Sequence, residues 1–221
     1  MIVSDSKSFV FVHNPKAAGT SVRKILDPYR NPGTDYWGFR LYPPIGRIVD
    51  IAHTPLDVLL QIQPDLIMKL QAFNSFGFVR HPVQRYFSAV HQFLRNFTSD
   101  LNSKIVLADK ELFDRYVDRF ALTALNRDGV ELDYRFAHFI PQKRFFFIYN
   151  VQLVKAFKIE ELASLPPELT ALGLSDIGQE NSSNLDLKVG GLFDQSALSP
   201  AALRKILEFY AEDFDHFGYS A

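Results

Sequence analysis

At 221 residues, 47% hydrophobic and 22% charged, the chain is long enough to bury a substantial core as one domain. A formal charge of −1 excludes a global attraction to nucleic acid or to an anionic membrane, so any anion site must be a local cluster. The lack of cysteine excludes disulfides, catalytic thiols and thiolate zinc sites.

No apolar run approaches the roughly 20 residues of a bilayer span and nothing at the start resembles a signal peptide, so a cytoplasmic soluble protein is expected. The histidines, at positions 13, 53, 81, 91, 138 and 216, fall in no HExxH-like spacing and no Asp-rich loop accompanies them. No protein-bound metal is expected.

Residues 8–12, SFVFV, predict a short buried strand that Asn14-Pro15 ends. After Gly19, the hydroxyls of Thr20 and Ser21 start a helix with Val22, Ile25 and Leu26 on one face, until Pro28 stops it. A helix start leaves backbone N–H groups for an anion, a glycine lets the chain approach closely, and Lys16 adds a full charge. The nucleotide triphosphatase motif is wired differently, with its lysine directly after the second glycine. Here Lys16 precedes Gly19 by three positions. A tight strand-to-helix turn with a surface lysine is the competing reading.

Residues 27–47, with four prolines, three glycines and five aromatics, show no periodicity and read as a long excursion. Tyr36, Trp37, Phe39 and Arg40 there suit a wall for a sugar or an anionic acceptor, or a loop pinned by its own aromatics. Residues 48–52 predict a strand, followed by a helix with Thr54 as N-cap, Pro55 as its first residue and Asp57 near its positive end. That puts His53 at a strand exit, where an open α/β sheet places ligands; a structural histidine is the alternative.

A second strand-to-helix passage runs through residues 73–97, with a short apolar strand at Phe76–Val79, Pro82 in the first turn and Val83, Phe87, Val90 and Leu94 on the apolar face. Arg80 stands at the strand end, beside the first loop if the two strands are neighbours. An arginine there with a hydroxyl on the following helix can hold a phosphate.

An amphipathic helix is predicted from Asp109 to about Asn126, with Glu111 and Arg115 paired on its wet side. Residues 145–149 predict another buried strand, 151–157 a segment pairing nearby, 173–184 a polar loop, and Ser199-Pro200 the start of a last helix. Strands alternating with helices indicate α/β with a mainly parallel sheet.

With both passages in view, the chain resembles the sulfotransferases that use 3′-phosphoadenosine 5′-phosphosulfate (PAPS), especially carbohydrate sulfotransferases and their bacterial relatives. HNPKAAGTS, residues 13–21, is similar to that family's 5′-phosphosulfate loop, H-x-P-K-T-A-G-T-S, with Ala17 in place of the usual threonine. FGFVRHPVQRYFSAV, residues 76–90, is similar to the 3′-phosphate segment, whose arginine and serine fall on Arg80 and Ser88. HFIPQ, residues 138–142, and FYAEDFDHFGY, residues 209–219, also resemble family segments.

The resemblance implies one P-loop-like α/β domain over residues 1–221, a central mainly parallel sheet flanked by helices, and PAPS as co-substrate without a metal. It implies a nucleotide site made of Pro15, Lys16, Ala18, Gly19, Thr20, Ser21, Arg80 and Ser88. It further implies that Lys16 stabilises charge on the bridging oxygen as the sulfuryl group moves in line to an acceptor hydroxyl, expected on a glycan. The proton of that hydroxyl needs a base, and His53 is the candidate with His138 its rival; Arg85 reads as a scaffold or site arginine. A P-loop kinase using ATP and a non-catalytic nucleotide- or glycan-binding module of the same fold are the alternative functions. Neither the acceptor nor the oligomeric state is legible.

Overall fold

The computed structural model describes residues 1–34, 36–42, 46–98, 100–125, 133–177 and 195–220. They form two compact units, Met1–Arg80 with Gln142–Asn181 and His81–Pro141 with Ser182–Ala221, each with its own apolar interior.

The first unit is built on a four-stranded sheet in the order β1 (Ile2–Ser4), β2 (Phe9–Phe11), β5 (Asn74–Val79), β8 (Lys155–Lys158). β2, β5 and β8 run parallel, as the alternating pattern predicts, and β1 adds an antiparallel edge. Alternation along the strands sends Phe9, Phe11, Phe76 and Phe78 to one face, where they pack with Val22 and Leu26 of α1 (Gly19–Leu26). The other face meets α3 (Pro64–Ala72), whose Leu70 carbonyl accepts from the Ser75 hydroxyl at 2.7 Å. β8 closes the second edge with a lysine at each end, a composition that discourages further strand pairing.

Several local expectations are corrected. The 27–47 excursion is not shapeless: β3 (Phe39–Tyr42) pairs antiparallel with β4 (Arg47–Asp50) in a separate ribbon. Residues 48–52 therefore do not join the main sheet, and their last members turn into a 3₁₀ helix, Ile51–His53. Thr54 does not cap α2 (Leu56–Ile62); its hydroxyl donates back to the Asp50 carbonyl at 3.0 Å, and Pro55 becomes the N-cap.

In 145–149, only Phe147–Ile148 is strand (β6), paired with β7 (Val151–Gln152). Phe145 closes a 3₁₀ turn, Gln142–Phe145, and Tyr149 bends into the left-handed region; a buried apolar run looks the same in either backbone. The third parallel strand is residues 155–158 instead. A short helix α7 (Pro167–Thr170) and a 3₁₀ turn, Leu174–Asp176, follow. The remainder of the expected 173–184 loop, with Asp35, residues 43–45 and Asn126, lies outside the described residues.

The second unit is helical: α4 (Pro82–Phe97), α5 (Asp100–Ala108), α6 (Lys110–Thr123), α8 (Pro200–Phe209) and α9 (Ala211–Phe217). Pro82 opens α4 and Val83, Phe87, Val90 and Leu94 are buried, as periodicity predicts. Asp109 caps α6, Arg115 pairs with Glu111, and Ser199 caps α8 by accepting from the Ala202 N–H at 3.3 Å. The last helix expected from Ser199-Pro200 is followed by a second one, because Tyr210 leaves helical geometry before α9. Phe93, Phe120, Phe136 and Phe139 form an aromatic cluster, with Phe120 and Phe139 rings 5.0 Å apart. Among the described residues no helix is long and apolar enough to cross a membrane.

Candidate functional site

The segment HNPKAAGTS leaves β2 and enters α1. The Val12 N–H donates to the Phe76 carbonyl at 2.9 Å, prolonging the β2–β5 pairing, and the Asn14 N–H folds back on the Val12 carbonyl at 3.1 Å. Lys16 and Ala18 then take left-handed backbone, with φ of 63° and 60°. Each costs about 1–3 kcal/mol for a residue with a Cβ, so two within three positions mark a loop held in shape by its surroundings.

Ala18 is the N-cap of α1, its carbonyl taking the Ser21 and Val22 N–H groups. Among the described residues no side chain caps that helix, and its first turn carries no acid, so its amino end is open to an anion. Pro15, Gly19 and Ser21 are buried, Lys16 and Ala18 half-buried and Thr20 exposed.

Gly19 serves a different purpose from the one its sequence context suggests. Its φ is ordinary, but a Cβ there would lie 1.8 Å from Nε2 of His13. The His13 ring rests on the glycine, stacked between Phe11 at 6.0 Å and Trp37 at 5.9 Å, with the His53 ring edge-on at 4.5 Å. Trp37 in turn carries the Arg23 guanidinium at 4.4 Å, while Phe39 and Arg40 are exposed on β3. Ala17 points into the apolar core beside Val22, so the departure from threonine falls on a packing position.

The condition placed on Arg80 is met, since β2 and β5 are neighbours. The two strand ends are also tied. Asn14 Nδ2 donates to the Phe78 carbonyl at 2.9 Å and to Gln142 Oε1 at 2.8 Å. The same Oε1 accepts from the Arg80 N–H at 3.0 Å, and Gln142 Nε2 donates to the Arg80 carbonyl at 2.8 Å. These partners fix both amide orientations, because a main-chain carbonyl requires a donor and a main-chain N–H an acceptor.

Gln142 is fully buried, and the turn carrying it sits over Gly77 of β5: a Cβ on Gly77 would meet the Phe146 ring at 3.1 Å. Arg144 in that turn also pairs with Asp57 of α2 at 2.5 Å.

His53 is not at an exit of the main sheet but on the 3₁₀ turn after β4, buried, with Nδ1 3.4 Å from the His13 carbonyl oxygen. A ring nitrogen of His53 and a carboxylate oxygen of Asp50 lie within 4.8 Å of each other. Burial raises the Asp50 carboxyl to about 6, against the opposing pull of the Ala52 and His53 N–H groups.

Ser88 and His138 belong to the helical unit. Ser88 is half-buried on α4. The half-buried His138 presents its carbonyl to Arg85 Nη1 at 2.9 Å. Arg85, fully buried, also donates to the Ile140 carbonyl at 2.8 Å and lies over the Tyr210 ring at 5.2 Å.

The sequence reading missed Asn14, Gln142, Asp50 and the ring of His13. Asn14 was legible only as the end of a strand and Gln142 only as a letter of HFIPQ; neither lies in a periodic pattern that would announce a buried amide.

The chain matches the model of the Sulfotransferase family over residues 1–220. No curated protein and no solved structure matched it. With a match spanning nearly the whole sequence, the chain belongs to the sulfotransferase family.

Proposed function

We propose that this protein moves a sulfuryl group from PAPS to an acceptor hydroxyl on a carbohydrate. The observation that carries the reading is the pair of cationic strand ends on neighbouring parallel strands: the Lys16 loop after β2 and Arg80 after β5, joined through Gln142. A nucleotide with a 5′-phosphosulfate and a separate 3′-phosphate needs two such anion sites, and ATP does not. The uncapped, acid-free start of α1 fits the first of them.

Bound PAPS would supply the sulfuryl group and a 5′-phosphate leaving group. On this reading Pro15, Ala18, Gly19, Thr20 and Ser21 shape the 5′ cradle, Arg80 and Ser88 hold the 3′-phosphate, and the whole chain acts as one P-loop-like domain. Lys16 stabilises the charge that grows on the bridging oxygen, a preorganised electrostatic role. His53 takes the acceptor proton, with His138 the alternative base. Asp50, close to His53, can stabilise the imidazolium that forms.

The test is transfer of labelled sulfate from PAPS into a panel of glycans, lipids and phenols by the wild type and by Lys16→Ala. Label should enter a glycan, and Lys16→Ala should lose at least about 100-fold in rate, as removal of an electrostatic stabiliser does. Tight magnesium-dependent ATP binding without any sulfate transfer would sink the proposal.

A further inference from the structure

Gln142 is a buried polar side chain at the two strand ends. It bonds to both main-chain groups of Arg80 and to the amide of Asn14, two positions before Lys16. One planar group thus fixes the Arg80 peptide relative to the first loop, while Asn14 anchors the same unit to Phe78 of β5.

We infer that Gln142 is a positioning residue that sets the spacing between the two anion sites, and so determines how strongly a 3′-phosphate adds to nucleotide binding. This rests on the proposed use of a nucleotide phosphorylated at both ends. Without Gln142, the Arg80 peptide loses both of its amide partners on that side chain, and the arginine that meets the 3′-phosphate is no longer held in register with Lys16. Each site keeps its own donors, so the damage falls on their joint use. An effective geometry that tethers two contacts in one ligand strengthens binding beyond either contact alone.

The experiment compares the affinities of adenosine 3′,5′-bisphosphate and adenosine 5′-monophosphate by calorimetry, for the wild type, Gln142→Met and Gln142→Asn. Met keeps length and neutrality and removes every hydrogen bond; Asn keeps the amide but falls one methylene short. Leu70→Ala, a core change in α3, controls for lost stability. The wild type should prefer the bisphosphate, and Gln142→Met should cut that preference about tenfold, as loss of one or two hydrogen bonds would. Leu70→Ala should leave it intact.

A folded Gln142→Met with the wild-type preference would overturn the inference. Should that variant not fold, Gln142→Asn decides in the same way. A wild type with no preference for the 3′-phosphate would instead overturn the PAPS reading beneath it.

Discussion

Replacing Gly19 by alanine sets two effects of opposite sign against each other. Gly19 is the first residue of α1 with ordinary φ, so helix propensity alone favours alanine by about 1 kcal/mol. The added methyl, however, would lie 1.8 Å from His13 Nε2, against an ordinary contact of about 3.5–4.0 Å. The ring has no easy retreat, being 4% exposed, with Phe11 and Trp37 on its faces and His53 at its edge. Overpacking of this severity costs about 3 kcal/mol, so a net loss of about 2 kcal/mol is expected, or roughly 4–8 °C in Tm for a chain this size. Thermal unfolding of Gly19→Ala, His13→Ala and the double variant tests this. If the overlap with His13 is the cause, alanine at both positions should cost about 3 kcal/mol less than the sum of the single changes, because losing the ring relieves the whole overlap. A Gly19→Ala protein as stable as the wild type, or strictly additive costs, would refute the reasoning.

Arg85→Lys should destabilise the protein by about 1–3 kcal/mol, because the single ammonium nitrogen replaces a planar fork whose two separate ends, Nη1 and Nη2, reach the His138 and Ile140 carbonyls. Denaturant unfolding measures this, and a loss below about 1 kcal/mol would show that the guanidinium is not the clamp. Asp50 gives a pH signature. Its carboxyl is raised from 3.8 to about 6 by burial, so the folded state binds the proton more tightly than the unfolded one. The ionised form therefore costs stability, growing as pH rises from about 4 to 6 and complete above 6, by up to about 3 kcal/mol at 1.36 kcal/mol per unit. Asp50→Asn keeps an oxygen for the Ala52 N–H, so it should raise Tm at pH 7.5 and leave it unchanged near pH 3.5; an equal shift at both would contradict the titration.

The parallel sheet and the strand-to-helix passages were legible because both rest on period and punctuation. Ser8-Phe-Val-Phe-Val reads as a strand in any context, and Pro82 or Ser199-Pro200 marks a helix start by chemistry local to the residue. What failed depended on partners far along the chain. Phe145 and Phe146 are as apolar as a buried strand, yet the bare Cα of Gly77, some seventy positions earlier, is what seats the Phe146 ring. Of residues 48–52, those up to Asp50 are strand, but they pair with residues 39–42 rather than with the main sheet and the rest turn into a 3₁₀ helix, which moves His53 away from the expected strand exit. Thr54 looks like a cap until the Asp50 carbonyl claims its hydroxyl. In the candidate site, Lys16 and Arg80 draw notice in the sequence because a charge beside a strand end is informative by itself. Asn14 and Gln142 do not, since an amide gains meaning only from the main-chain groups it meets.

That division also explains why amides hold the two ends together. A carboxylate at position 142 would accept from Asn14 and from the Arg80 N–H as well as the glutamine does, but it would face the Arg80 carbonyl with a second acceptor. It would also place a negative charge between the cations proposed to meet two phosphates, weakening both at close range. A lysine or arginine would satisfy the Arg80 carbonyl but offer no acceptor to the Arg80 N–H or to the second hydrogen of Asn14 Nδ2, which would keep only its bond to the Phe78 carbonyl; each such loss costs about 1–3 kcal/mol for a buried group. Only a neutral group with a donor and an acceptor on one plane serves both main-chain atoms of Arg80 while leaving the local field to Lys16 and Arg80. The residues that hold the loops in register thus work through neutrality, and those proposed to bind the nucleotide through charge.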